Sequence, residues 1–347
     1  MIRPTCKSRL QVLCLAWAVC AGALASFSSC AFDPGIIAWI DGEQIAVDEF
    51  MSCLHYKHRA ATYAQFASYG AADRTDFWTR RLSGQRPIDY ARDRTMKDLV
   101  STKVQQILLK RDGIQPDITY GMFQKKLADE NARRQRAVAN HEIIYGPETW
   151  DESQYFDHIL NDNISAWKNT IGTKRFPLSD NQVRQMYEST RESYTLPDAI
   201  RVQVIAVSYA VMPREKALQT LSGMRDNLRK GLSIEDVTKR KGSRVTTYET
   251  TFDESSIKGD ELARPLQRQE ALRLQAGDIS EIIEEGDGCM ILRCTERQSN
   301  RYQSFERMRD VVMRNHIDKQ YNTLVDEMVR TARVRINRPV YLGIIIR

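Results

Sequence analysis

The chain has 347 residues, 42% of them hydrophobic and 28% charged, with a formal net charge of +6. This is the composition of an ordinary globular chain of two or three domains, and it excludes a disordered or fibrous one. Arg3, Lys7 and Arg9 supply three of the positive charges, and the remaining Lys and Arg alternate with Asp and Glu, so the charge is no footprint for nucleic acid.

The N-terminus reads as a leader. Arg3, Lys7 and Arg9 precede an apolar run, Leu10 to Leu24, that is too short to prefer spanning a bilayer. Ala23-Leu24-Ala25 is a small-x-small cleavage signal, and Ser28-Ser29-Cys30 resembles the box that precedes a lipidated cysteine. The expectation is a signal peptide over 1–29, an acylated Cys30, and a place outside the cytoplasm, in a periplasm or on an envelope membrane through that lipid. Cleavage at Ala25 with a soluble product is the competing outcome. Behind the leader stand Cys53, Cys289 and Cys294. Cys289 and Cys294 have odd spacing within one apolar run, so a strand turns them to opposite faces and they cannot pair locally. No Cys-x-x-Cys spacing occurs, and all three are expected in the core.

Ile36 to Ile45 predicts a hairpin, two apolar runs around Asp41-Gly42. Val47-Asp48-Glu49-Phe50 opens a helix with acids in its first turn, where the helix dipole favours them. Residues 50–170 are helical by pattern. Met96, Leu99, Val100, Val104, Ile107 and Leu108 recur at helical spacing, and Asp112-Gly113 ends that helix before Pro116. Another helix runs from Ile118 to about Asn140, with Ala132 to Arg136 expected on a solvated face. Gly146-Pro147 breaks the chain, and Trp150 to Trp167 is helical again. Tyr63, Phe66, Tyr69, Phe77 and Trp78 cluster around Gly70. They are candidates to line a groove for unfolded segments, with plain core between two helices as the alternative.

Ile171-Gly172 and Phe176-Pro177 mark a linker, and Ser179 is placed to cap the next helix. Ile200 to Val207 then alternates as a strand. Arg214 to Lys230 reads as a helix stopped by Gly231, and Gly288 to Cys294 as a closing strand. Ser304-Phe305-Glu306 begins a helix to about Ala332, followed by a short strand, Val334 to Ile336.

Several of these stretches carry a family likeness. Trp39-Ile-Asp-Gly-Glu-x-Ile-x-x-x-Glu-Phe50 resembles the opening of SurA- and PrsA-type extracytoplasmic chaperones. Leu178-Ser-Asp-x-x-Val-x-x-x-Tyr-Glu188, with Tyr194-Thr-Leu-Pro197, resembles the segment that introduces their isomerase domain. Leu274-x-x-Gly-Asp-Ile-Ser-x-Ile-Ile283 resembles the parvulin type of peptidyl-prolyl isomerase. The resemblance implies an α+β chain: a mostly helical peptide-binding domain over 30–172, a linker helix over 173–195, and a parvulin-like α/β domain over 196–298. It further implies a helix and strand over 299–337 that pack back on the helical domain, and a tail over 338–347. The partners it implies are unfolded or nascent exported polypeptides, and it implies no cofactor.

The chemistry of that family is missing at its usual places. The parvulin pattern has a histidine in the first strand and another in the last, and these positions read Val204 and Met290. Valine has no hydrogen-bonding group and methionine only a weak acceptor. Gly242 to Tyr248 stands where a glycine-rich element is usual. The peptide-pocket candidates are therefore Val204, Tyr248, Leu262, Leu266 and Met290, with isomerase activity expected weak or absent. A working isomerase and a surface lipoprotein that binds an envelope or host partner are the alternatives. His55 and His58 share a helix face without a third ligand, so no metal is expected, and no hydrolase or phosphate-binding motif occurs.

Overall fold

The structure, a computed structural model, describes residues 33–69, 75–239 and 244–346. The leader with Cys30, and the glycines at 70 and 242, lie outside the described residues. The chain divides into a first unit, up to Lys174 and from Tyr321 onward, and a second unit, Arg175–Gln320.

The first unit opens on the hairpin Ile36–Ile40 (β1) and Glu43–Ala46 (β2), in which Ile40 faces Glu43. Asp41 and Gly42 both take positive φ, the tight turn that matches strand twist and that Asp-Gly favours. Val47–Cys53 (α1) follows, then a wider π-helical turn, Leu54–Arg59, and Ala60–Ala67 (α2). Pro87–Arg111 (α3) has its proline at the first helical position and stops where Gly113 turns left-handed. Tyr120–Ala139 (α4) and Glu152–Trp167 (α5) complete the first run, capped by the side chains of Thr119 and Asp151.

Glu49 and Lys103 tie this unit together. Glu49 accepts the Ala46 N–H at the start of α1, and its Oε1 lies 2.8 Å from Lys103 Nζ in α3. Both residues are buried, and Lys103 also reaches the Ile118 carbonyl ahead of α4. The alternation of charge along α4 hides one exception to a solvated face. Arg134 is buried, pairs with Glu130, and donates to the carbonyls of Tyr145 (3.0 Å) and Pro147 (2.6 Å). It pins the turn into α5 rather than facing water, while Arg133 stays exposed.

Thr173–Arg175 (α6) leads into the second unit, where Asp180–Thr190 (α7) starts with Ser179 accepting the Gln182 N–H. Thr195–Leu196 (β3) precedes Ala199–Ser208 (β4), Arg214–Arg229 (α8), Ile234–Thr238 (α9) and Thr246–Phe252 (β5). Ile257–Ala263 (α10), Pro265–Ala271 (α11), Ile283–Glu285 (β6), Gly288–Gln298 (β7) and Arg301–Tyr302 (β8) follow. Four strands pair antiparallel in the order β5-β4-β7-β6, and β3 pairs with β8. The sheet is buried on both faces. Ile205, Val207, Cys289 and Ile291 pack with Ala217, Leu221 and Leu228 of α8. Ile200, Val202, Val204, Met290, Leu292 and Cys294 pack with Phe252 and Ala271 on the other face. Cys289 and Cys294 thus lie on opposite faces, as odd spacing in a strand requires. Gly288 has no room for a side chain, since a Cβ there would stand 2.7 Å from the Val207 carbonyl oxygen.

Phe305–Thr331 (α12) begins in the second unit and ends in the first. In the first, Tyr321 packs on Trp167 and donates to Gln105 at 3.0 Å. Val334–Ile336 (β9) then pairs with β1, so the sheet order is β2-β1-β9. Residues 338–347, expected as a tail, instead include a helix, Arg338–Gly343 (α13). The buried Arg92 holds the end of that helix, donating to the carbonyls of Leu342 and Ile344. The fold is α+β, with a C-terminal helix and strand returning to the helical unit.

Truncating Lys103 to alanine leaves Glu49 buried and alone. Lys103→Ala is expected to cost the first unit about 3–5 kcal/mol, whereas replacing Glu49 and Lys103 together by leucine and methionine recovers most of that. Guanidinium unfolding followed by circular dichroism checks both; equal losses in the single and double variants would contradict the role given to the pair.

Candidate functional site

Three places could carry chemistry: the sheet face with Val204 and Met290, the aromatic cluster of Tyr63, Phe66, Tyr69, Phe77 and Trp78, and the concavities of the helical unit. In the second unit, register brings Val204 opposite both Tyr248 and Leu292, and Ala206 opposite Met290. Val204, Tyr248 and Met290 therefore share a face. Val204 is fully buried and Met290 nearly so; both belong to the apolar core. Leu262 is 89% exposed and Leu266 about half as much, so neither walls an enclosed pocket.

Beside the apolar Ala271 and Leu274, part of what covers this face is ionic. Asp260 of α10 is buried between Arg264 (2.6 Å) and Arg268 (3.1 Å), and Arg264 also donates to Thr250 and lies over the Phe252 ring. Glu285 accepts the Leu266 N–H at 2.7 Å. Burial pushes the Tyr248 phenol up, with Glu285 adding to the effect and Arg264 opposing it. The Cys289 and Cys294 thiols are raised by burial as well. The sheet therefore presents no ready nucleophile, and the histidine of this unit, His316, belongs to α12.

The aromatic cluster is a small core. Phe66, Phe77 and Leu82 are buried, with Trp78 and Tyr90 packed against them. Tyr63 leans on Phe77 and Tyr69 on Phe66, and both tyrosines are exposed. All five were candidates for groove lining, with core packing as the alternative; Phe66 and Phe77 are buried in packing.

The helical unit has two concavities that the sequence did not disclose. One is an open apolar groove of about 290 Å³ lined by Met96 and Val100 of α3, Val329 of α12, Ile336 of β9 and Tyr341 of α13. Tyr341 is fixed there by its hydroxyl donating to Asp93 at 2.7 Å. The other is a cavity of about 170 Å³ bounded by Glu49 and Cys53 of α1, Asp98 and Leu99 of α3, Tyr120 of α4, and Glu152 and Phe156 of α5. Glu152 accepts from Ser52 and, at 2.8 Å, from Tyr120, which in turn accepts from Gln124. Burial, the largest influence, pushes the Cys53 thiol up to about 12, so it stays protonated and unreactive. His58 is paired to Asp98 at 2.9 Å and His55 contacts Arg59. Among the described residues no group of three His, Cys, Asp or Glu is placed to hold a metal.

The chain is thus a two-unit α+β protein with two recesses in its helical unit and a sheet whose central side chains are core. No family model matches the sequence, and no curated protein does. Among solved structures the chain is similar to a SurA-like chaperone of Campylobacter jejuni at 12% identity, covering 87% of this chain and 98% of that one with a TM-score of 0.30. It is similar to the foldase protein PrsA from Streptococcus pneumoniae at 15% identity, covering 83% and 88% with a TM-score of 0.22. For PrsA from Bacillus subtilis the figures are 14%, 75%, 87% and 0.20. At such identities and TM-scores no residue role passes from those proteins to this one.

Asp260 makes the covering of the sheet pH-sensitive. Burial alone would raise its carboxyl, but the hydroxyl of Ser256, with the hydrogen bonds of Arg264 and Arg268 and the charge of Arg264, outweighs burial and holds it below the usual carboxylate range. Its stabilising contribution is complete above the unfolded value of about 3.9 and is lost as pH falls through the lower folded value. Asp260→Asn is expected to lower the stability of the second unit by about 2–3 kcal/mol at neutral pH and to flatten its loss on acidification. Thermal midpoints between about pH 5 and pH 2 test this; an unchanged acid slope would show that the carboxylate is not what titrates.

Proposed function

We propose that the protein is an extracytoplasmic folding factor that binds unfolded exported polypeptides, and that its parvulin-like unit serves as scaffold or second peptide site rather than as an isomerase. The observation that carries this reading is the apolar groove beside an open sheet edge. β9 is the outer strand of its sheet, and its three residues are exposed. Asn337 donates to the Ile37 carbonyl and Arg333 accepts from the Asp41 N–H, so alternation turns the backbone of Val334 and Ile336 outward. An extended chain can add to that edge through its backbone and seat an apolar side chain against Met96, Val100 and Val329. Backbone pairing is indifferent to sequence, and an apolar groove selects only for hydrophobicity. Unfolded clients share these two properties.

The likeness of the opening hairpin and of the 178–197 and 274–283 segments to SurA- and PrsA-type chaperones supports the same reading. An acyl chain on Cys30, with the leader removed, would hold the protein at an envelope membrane. Among the described residues no helix is long and apolar enough to cross one.

Two outcomes are expected. On a proline peptide the full chain accelerates isomerisation little or not at all, because Val204 and Met290 offer no hydrogen-bond donor to a twisting amide; turnover at the rate of an ordinary parvulin would refute the scaffold role. The full chain suppresses aggregation of an unfolded client, and Ile336→Asp, which puts a charge in the groove, weakens that suppression about tenfold without changing the circular dichroism spectrum. Suppression unaffected by Ile336→Asp would exclude this groove as the client site.

A further inference from the structure

The groove bounded by Met96, Val100, Val329, Ile336 and Tyr341 is not wholly apolar, because two charged residues of α3, Asp93 and Lys97, also line it. Asp93, Met96, Lys97 and Val100 stand at i, i+3, i+4 and i+7, so they form one stripe along the helix. The two charges differ in what holds them. Asp93 accepts the Tyr341 hydroxyl at 2.7 Å, which ties it to α13. An acid four residues ahead of a lysine is well placed to pair with it. Here it does not, and among the described residues no ion pair or hydrogen bond engages the Lys97 ammonium.

The other charges of α3 find partners. Arg92 pairs with Asp89 at 3.2 Å, Asp98 with His58 at 2.9 Å, Lys103 with Glu49 at 2.8 Å and Lys110 with Glu43 at 2.6 Å. Arg94 lies over the Tyr90 ring. Lys97 is exposed, so its stem lines the groove while its head keeps three donors for a partner from outside the chain. Strand alternation says where that partner would sit on a chain added to β9. The residue next to a seated apolar side chain points to the other face, and the one two positions along returns to the groove.

We propose that the groove prefers extended segments with an acidic side chain two positions from the apolar one it seats, and that Lys97 makes this selection. The proposal rests on the reading that the β9 edge and its groove bind unfolded chains, and it names the class of client they prefer. A carboxylate brought to Lys97 pairs with an ammonium that has no ion pair to give up. A basic side chain at the same place meets Lys97 as a like charge, and the Asp93 oxygen opposite is already engaged by Tyr341. A neutral side chain gains nothing from either. The pair forms at a groove open to solvent, so its effect is modest, about fivefold in affinity, and is screened by salt.

The test uses the full chain and extended peptides, blocked at both ends and built around one leucine, with binding read by fluorescence anisotropy. At low salt, glutamate two positions from the leucine should bind about fivefold more tightly than glutamine there. The difference should vanish at about 1 M salt, where the Debye length falls to about 3 Å. Glutamate moved next to the leucine, and so to the other face, should give no gain. Lys97→Gln should bring the glutamate and glutamine peptides to one affinity, and Lys97→Glu should favour lysine at that place, with circular dichroism showing the fold intact. Equal affinity for glutamate and glutamine, a preference for lysine in the unaltered chain, or a gain that survives Lys97→Gln would overturn the proposal. A gain confined to peptides with a free C-terminal carboxylate would also overturn it, since Lys97 would then read chain ends. Dimerisation that abolishes peptide binding would give the edge to a second copy instead. Ile336→Asp and client aggregation keep the two readings apart. Peptides bound without preference, but weakened by Ile336→Asp, leave the client groove standing and remove the acid preference alone. A glutamate preference lost in Lys97→Gln, in a chain that suppresses no client aggregation, removes the folding-factor reading alone.

Discussion

The helical unit depends on one desolvated ion pair. Glu49 sits in the first turn of α1 and Lys103 in the middle of α3, 2.8 Å apart, with hardly any of either side chain in water. Two charges in such a setting are tolerable only when each finds its partner in good geometry, so few arrangements of α1 on α3 are allowed. The Ala46 N–H on Glu49 and the Ile118 carbonyl on Lys103 extend the constraint to the hairpin and to the approach to α4. The same arrangement sets the walls of the acidic cavity, because Glu49 and Cys53 come from α1 and Asp98 and Leu99 from α3.

The second unit meets a different constraint. A sheet covered on both faces needs apolar side chains from both sides of its central strands, and β4 and β7 supply them. Val204 and Met290 extend that demand over the two positions where the resembling family has histidines. Once both are core, the helices α10 and α11 have no polar floor to shelter. Their buried charge is instead the self-contained group of Asp260, Arg264 and Arg268.

The binding proposed for the helical unit would draw on terms that require no such chemistry. A strand edge offers backbone hydrogen bonds to any extended chain, and an apolar groove gains from the area it removes from water. Neither needs a perturbed acid or base, and the high value of the Cys53 thiol fits a recess that binds rather than reacts. Carboxylates line the cavity and apolar side chains the groove, both within one unit.

Local features of the chain were decided by its sequence alone. Asp41-Gly42 dictates a turn with positive φ, Ser179 a cap, and Gly231 a stop. Alternation from Ile200 to Val207 dictates a strand, and the odd spacing of Cys289 and Cys294 separates them across the sheet; that both faces of the strand are buried was decided by packing. The α+β class and the return of the C-terminal helix were legible too, the latter through resemblance. The cavity was not, because Ser52 and Glu152 meet across 100 positions and no period links them. Nor were the buried roles of Lys103, Arg134 and Arg92, each of which looks in sequence like one more charge on a solvated helix. Periodicity and turn chemistry act over a few residues through φ, ψ and the direction of Cβ. Which charge is taken out of water, and which aromatic ring becomes core, is settled only when distant elements pack and each buried polar group must find its partner.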